Sequence, residues 1–246
     1  MRNILKIAVL LFPFLLRGQT QGPLMEWYTY DGCLNCYQAQ GHLADLLSDT
    51  SLHPKPVVLS FHVDYDENDG YVDSLSLSVF KERQRMYVRA GISEAIYTPQ
   101  VIVNGQSVFS GSNRARLFRE AQQMRTLELG LELLPRYLNV DTVTMPHLVE
   151  VQVQWEVPQD VPACVLYLAL CADEEVHIPQ SGENKGKTLH SNNVVKVFQM
   201  ADPKSTQAKL FQIPPSASAQ QHTVVGFLQR LDTGAIIAAR SIPVRP

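Results

Sequence analysis

The chain has 246 residues, a formal net charge of −3 and 45% apolar side chains. That balance gives enough material for two modest globular domains, and it excludes a disordered tail or a solenoid, since no repeat or low-complexity run is present. Without a basic tract or an excess of Lys and Arg, nucleic acid is excluded as a partner.

Arg2 and Lys6 precede an apolar run from Ile7 to Leu16 that is too short for a bilayer, which takes about 20 residues. A basic start, an apolar middle and a polar Gln/Thr/Gly end read as a signal peptide over residues 1–22. The alternative is an uncleaved anchor. The mature chain is then exported, to the periplasm or beyond, into an oxidising space, with no membrane span left after cleavage.

Met25 to Tyr30 reads as a strand and Tyr37 to Leu47 as a helix, with Cys33-Leu34-Asn35-Cys36 between them. A strand that hands over to a helix opening with C-x-x-C is the layout of a thiol–disulfide redox site. Residues three apart share a helical face, so the two sulfurs are able to bond. The free N–H groups and dipole at a helix start favour a thiolate. Cys33 is the expected nucleophile and Cys36 the resolving thiol. The plainer readings are a structural disulfide or half a zinc site, although no second ligand pair lies nearby. Glu26, on the incoming strand, is either the proton acceptor for Cys36 or a solvent-facing edge carboxylate.

Pro56 to Asp64 is rich in β-branched residues and reads as a central strand. His62 and Asp64 alternate on it and share a face near its C-terminal end, where sites of open α/β sheets gather. They are candidates for a proton relay or for holding a positive charge near a thiolate, a core histidine being the alternative for His62. The acidic loop Tyr65-Asp66-Glu67-Asn68-Asp69 permits a cation, though its spacing is not that of an EF-hand. Leu75 to Ala90 follows as a helix capped by Gly91, with Arg83 placed to pack on the sheet and pair with an acid. Thr98-Pro99-Gln100 then leads into the strand Val101–Val103, Asn104-Gly105 signals a hairpin, and Asn113 to Leu129 closes the region as a helix.

The resulting order, β-α-β-α-β-β-α over residues 23–130, is the minimal thioredoxin arrangement. In it Pro99 lies opposite the cysteines, Thr98–Pro99 is expected to be cis, and Gln100 is placed to touch an extended substrate. Residues 131–146 read as a connector. Beyond them, alternation at His147–Val157 and further strands at Ala163–Cys171, Asn193–Gln199, Gln207–Ile213, Thr223–Asp232 and Ala235–Pro243 suggest an immunoglobulin-like β-sandwich over residues 147–246. Cys164 and Cys171 fall on opposite faces of one strand and are not expected to pair. The polar Ser181–Asn193 loop either covers the redox site or is simply a mobile loop.

Four segments carry a family resemblance: Glu26 with Thr29, Gly32, Cys33 and Cys36; Ser60-Phe61-His62-Val63-Asp64-Tyr65; Arg83-Gln84-Arg85-x-Tyr87; and Tyr97-Thr98-Pro99-Gln100-Val101-x-Val103-Asn104-Gly105. With them the chain resembles the thioredoxin-like secreted proteins grouped as family 1223 of the domains of unknown function. The similarity extends weakly through Gly182-Glu183-Asn184-x-Gly186 and Thr233-Gly234-Ala235-Ile236. One departure is that Tyr37-Gln38 stands where the family usually has Pro-Pro. The resemblance implies a fold and a redox-type motif without a settled activity.

The expected protein is therefore an α/β thioredoxin-like domain followed by an all-β immunoglobulin-like sandwich. Its expected function is an exported thiol–disulfide oxidoreductase that needs no cofactor or metal. The site would comprise Cys33, Cys36, Pro99, Glu26, His62 and Asp64, and the substrate would be a protein or small-molecule disulfide or dithiol. Two other readings stand beside it: a non-enzymatic module binding copper or a protein partner, and a fold in which Cys33–Cys36 is only a staple.

Overall fold

The sequence starts α1 (Leu34–Ser48) with a cysteine: Cys33 is its N-cap, and its sulfur accepts the backbone N–H of Cys36. The helix buries Cys36, Ala39, Gln40, Leu43 and Leu46, the i, i+3, i+4 spacing of one face. Before it lie β1 (Thr20–Gln21) and β2 (Leu24–Thr29). After it come β3 (Val57–His62), α2 (Ser78–Arg89), β4 (Gln100–Val103), β5 (Ser107–Ser110) and α3 (Arg114–Gln123). Asn104 and Gly105 both have positive φ, the backbone that the two-residue hairpin between β4 and β5 requires. Thr98–Pro99 is cis.

The second half forms β6 (Leu131–Leu138), β7 (His147–Trp155), β8 (Cys164–His177), β9 (Leu189–Ala201), β10 (Lys209–Ile213), β11 (His222–Arg230) and β12 (Ile236–Val244). This computed structural model describes residues 20–65, 71–124, 131–138, 147–155, 163–203, 208–213 and 220–244. Most of the expected signal peptide, residues 66–70 of the acidic loop and residues 139–146 of the expected connector lie outside the described residues. Leu131–Leu138, read from sequence as connector, is an edge strand, which is where Pro135 is tolerated.

The expectation of a thioredoxin-like α/β domain followed by a separate immunoglobulin-like sandwich is overturned. One mixed sheet of nine strands runs through both halves in the order β1-β12-β11-β8-β9-β3-β2-β4-β5, and only β10-β7-β6 forms a second, three-stranded sheet. The join is β3 with β9, parallel, at Ser60 and Val194. The Ser60 hydroxyl locks it by donating to the Asn192 carbonyl at 2.6 Å. Next to the join Asn193 takes a positive φ of 52°, a backbone that asparagine tolerates better than most residues.

Packing explains why the halves do not separate. On one face of the sheet Met25, Trp27, Val58 and Val101 meet Leu43 of α1 and Leu117 of α3. On the other, Tyr28, Phe61 and the α2 residues Phe80 and Tyr87 share one core with Tyr167 and Phe227 of the second half. Phe198 of β9 stands edge-on to Phe61 at 5.3 Å between centroids and stacks on Tyr167 at 5.2 Å. Such pairs contribute about 0.5–1.5 kcal/mol each beyond the area they bury. The small sheet covers the far end, where Leu133, Val151 and Phe211 pack on Leu168 and Val224.

Candidate functional site

Cys33 and Cys36 are joined as a disulfide, with their Cα atoms 5.3 Å apart. The two residues differ in exposure: Cys36 is fully buried, whereas Cys33 is partly exposed at the head of α1. The loop between β8 and β9 reaches over this turn. Buried Asn184 donates from one amide nitrogen to the Asp31 carbonyl at 2.8 Å and to the Cys33 carbonyl at 3.0 Å. Glu183 accepts the Leu34 backbone N–H at 3.0 Å and so caps the first turn of α1 with a carboxylate. Lys187 donates to the Asn184 side-chain oxygen at 2.9 Å and lies 4.8 Å from the Tyr37 ring centroid. Of the two sequence readings of this loop, the covering one fits its contacts.

Under the turn lies a buried ionic group. His62 Nδ1 is 2.8 Å from Asp73 Oδ2 and 3.7 Å from Asp31 Oδ1, with all three side chains enclosed. His177, at the end of β8, brings Nε2 to 2.6 Å from Asp31 Oδ2. Burial opposes charge on His62, but Asp31 and Asp73 outweigh it and hold its pKa above the ordinary imidazole value. The hydrogen bond to Asp31 raises His177 in the same direction against its partial burial. For Asp73, burial opposes ionisation, yet His62 and the N–H groups of Leu75 and Asp31 win and lower its pKa. Gln40, one turn beyond Cys36 on the same helical face, contacts Asp31 at 3.5 Å and donates to Ser191 at 3.0 Å.

Glu26 lies on the opposite face of the sheet, paired with α2 rather than with the cysteines. Its carboxylate takes Arg83 bidentately, at 2.7 Å from Nε and 2.6 Å from Nη2. The hydroxyls of Tyr28 and Tyr87 donate to it at 2.6 and 2.5 Å. Neither an edge carboxylate nor a partner of Cys36 describes it; it is the counter-ion of the arginine that the sequence had marked for an acid. Asp64 is paired with Lys81 at 2.8 Å, so His62 and Asp64 do not act together. Pro99 accepts the Gly111 N–H through its carbonyl at 3.0 Å. Gln100 is buried and engaged with Gln84, Ser93 and Ala95.

A family model described as a protein of unknown function (DUF1223) matches residues 24–229. The chain belongs to that family. The matched stretch runs from β2 through β11 and so takes in both halves of the large sheet, the cysteines and the clamping loop. Among solved structures this DUF1223 member is similar to an Agrobacterium tumefaciens protein determined by X-ray crystallography. The TM-score is 0.59 at 21% identity, covering 89% of this chain and 93% of that one. It is also similar to HBP35 of Porphyromonas gingivalis, with a TM-score of 0.57 at 12% identity, covering 90% of this chain and 74% of the other. At these identities the likeness concerns the fold alone. No curated protein matches the chain.

Asp31, Asp73, His177 and Asn184 were missed as site residues. Asp31 stands two positions before Cys33, and Asn184 lies in a segment that carried the weak end of the resemblance, so both had a signal. Asp73 and His177 had none, because only the folding of distant segments brings them to His62. Cys164 and Cys171 are in no disulfide, and burial pushes both thiols up. Among the described residues no helix is long and apolar enough to cross a membrane.

Proposed function

We propose that the protein is an exported thiol–disulfide exchange protein whose working pair is Cys33–Cys36. The observation that carries this reading is the asymmetry of the pair: Cys33 is a partly exposed residue at a helix N-terminus, and Cys36 is fully buried behind it. Attack needs an accessible sulfur, and resolution needs one held within bonding reach. In the reducing direction the Cys33 thiolate attacks a substrate disulfide, forming a mixed disulfide and releasing one substrate thiol. Cys36, having lost its proton, then attacks the Cys33 sulfur, releases the second thiol and leaves the Cys33–Cys36 disulfide. An external dithiol returns the pair to its starting state, and the same steps reversed oxidise a substrate dithiol.

The test uses the reduced protein and an aromatic disulfide as substrate. Cys36→Ser is expected to hold a stable mixed disulfide at Cys33 in a one-to-one ratio, seen by mass spectrometry, and wild type to discharge it. Cys33→Ser should form none at this site. A Cys36→Ser protein that captures no substrate, combined with a lower unfolding midpoint in both variants, would make the bond a structural staple.

A further inference from the structure

We propose that Asp31, His62 and Asp73 form a binding site for a divalent first-row transition-metal cation, of which zinc is the representative. The three side chains come from the β2–α1 turn, the end of β3 and the segment before α2. One ligand atom from each lies within 4.8 Å of the others, and all three residues are buried. The contacts are poorly served by a hydrogen bond alone. His62 presents one nitrogen to two carboxylates, at 2.8 Å from Asp73 and 3.7 Å from Asp31. A single N–H satisfies the first, and the second is beyond hydrogen-bond length. A cation seated among the three atoms meets both carboxylates and the imidazole together. In a tetrahedral site with bonds of about 2.0–2.2 Å, neighbouring ligand atoms are roughly 3.3–3.6 Å apart, so Asp31 at 3.7 Å is already near that spacing and Asp73 at 2.8 Å would move outward as the ion enters.

A second observation points to the same place. Thr29 is the register partner of His62 in the parallel pair β2–β3 and so presents its side chain to the same face. Its hydroxyl is buried and has no hydrogen-bond partner among the described residues. That oxygen is available to a fourth ligand position or to a water held there.

The surroundings hold the ligands in place. Asp73 accepts the backbone N–H of Asp31 at 3.0 Å and that of Leu75 at 2.9 Å. Asp31 is steadied by Gln40 at 3.5 Å and by His177 at 2.6 Å on its other oxygen. Outer partners of this kind fix ligand orientation, and losing one typically weakens metal binding 10–100-fold. Two carboxylates neutralise a divalent charge. One imidazole among the donors favours zinc over magnesium, which prefers an all-oxygen octahedron. His177, with 24% of its side chain exposed, links the enclosed cluster to the surface.

This site stands apart from the thiol chemistry, and its test keeps the two separate. The full chain is oxidised so that Cys33 and Cys36 carry no thiolate, freed of metal with a chelator, and titrated with zinc by calorimetry on a Cys164→Ser background. One equivalent is expected to bind with micromolar affinity or better, and magnesium at least tenfold more weakly. Asp73→Asn and His62→Gln should each lower zinc affinity tenfold or more. Glu174→Gln, at the exposed His190–Glu174 pair, should leave it unchanged. Absence of one-equivalent binding by the unsubstituted site overturns the proposal without recourse to a variant. So does full binding that survives both Asp73→Asn and His62→Gln.

Discussion

Two buried ionic groups lie on opposite faces of the same sheet, and they are built differently. On the α2 face, Glu26 receives four short hydrogen bonds from Arg83, Tyr28 and Tyr87. The Arg83 guanidinium lies over Tyr167, Phe198 and Phe227 at 4.5 to 5.1 Å. Gln229 adds a donor to the Tyr87 hydroxyl at 3.1 Å. On the α1 face, His62 faces the carboxylates of Asp31 and Asp73, His177 holds the other oxygen of Asp31, and His62 Nε2 and the Thr29 hydroxyl have no partner among the described residues. A satisfied buried pair behaves as structure, whereas a partly satisfied one beside a disulfide keeps a capacity to bind or exchange something.

The sharpest way to break that contrast is Arg83→Ala. It leaves the buried Glu26 carboxylate without its counter-ion and removes the cation from four rings, Tyr87, Tyr167, Phe198 and Phe227. We expect a loss of about 3–5 kcal/mol in denaturant unfolding, and a loss below about 1 kcal/mol would show that the pair does not hold the halves together. Tyr28→Phe removes one hydroxyl from the charged carboxylate and keeps the ring that stacks on Phe61 at 5.3 Å. It should cost about 1.5–3 kcal/mol, with Cys33 reactivity unchanged because Tyr28 faces away from α1.

The smallest effect concerns the other cluster and is read as a pH dependence in the presence of a chelator. His62 and His177 have folded-state pKa values raised above 6.5, so their stabilisation is complete below that value and fades as pH rises through the raised values. Asp73 is lowered below 3.8, so its contribution is present above that value and is lost as pH falls through the lowered one. The cluster therefore stabilises most between about pH 4 and 6.5. His62→Gln should flatten the fall in urea midpoint on the alkaline side, and an unchanged slope would remove His62 from the cluster's charge balance.

Local reading of the sequence reached most elements of both halves because their signals are local. The Cys33–Cys36 spacing at a strand–helix junction, the Asn104-Gly105 turn and the alternation along β7 each depend on neighbours a few residues away. It also marked Arg83 for an acid, and Glu26 is that acid. It failed where pairing is distant. The apolar strands β8, β9, β11 and β12 read the same whether their partners are in a separate sandwich or in the sheet that carries the cysteines, since a strand's composition records burial and not the identity of its neighbour.

The amino-acid order thus determined where the disulfide forms, which sulfur leads a helix and which turns reverse the chain, because each is set by backbone geometry over a few residues. Tertiary structure decided the rest. Ser60 and Val194, paired across the chain, merged the expected domains into one sheet. The same closure carried His177 to Asp31 and Asn184 to the backbone of Cys33. Contacts between residues more than a hundred positions apart depend on which apolar faces find one another, and no local pattern encodes that choice.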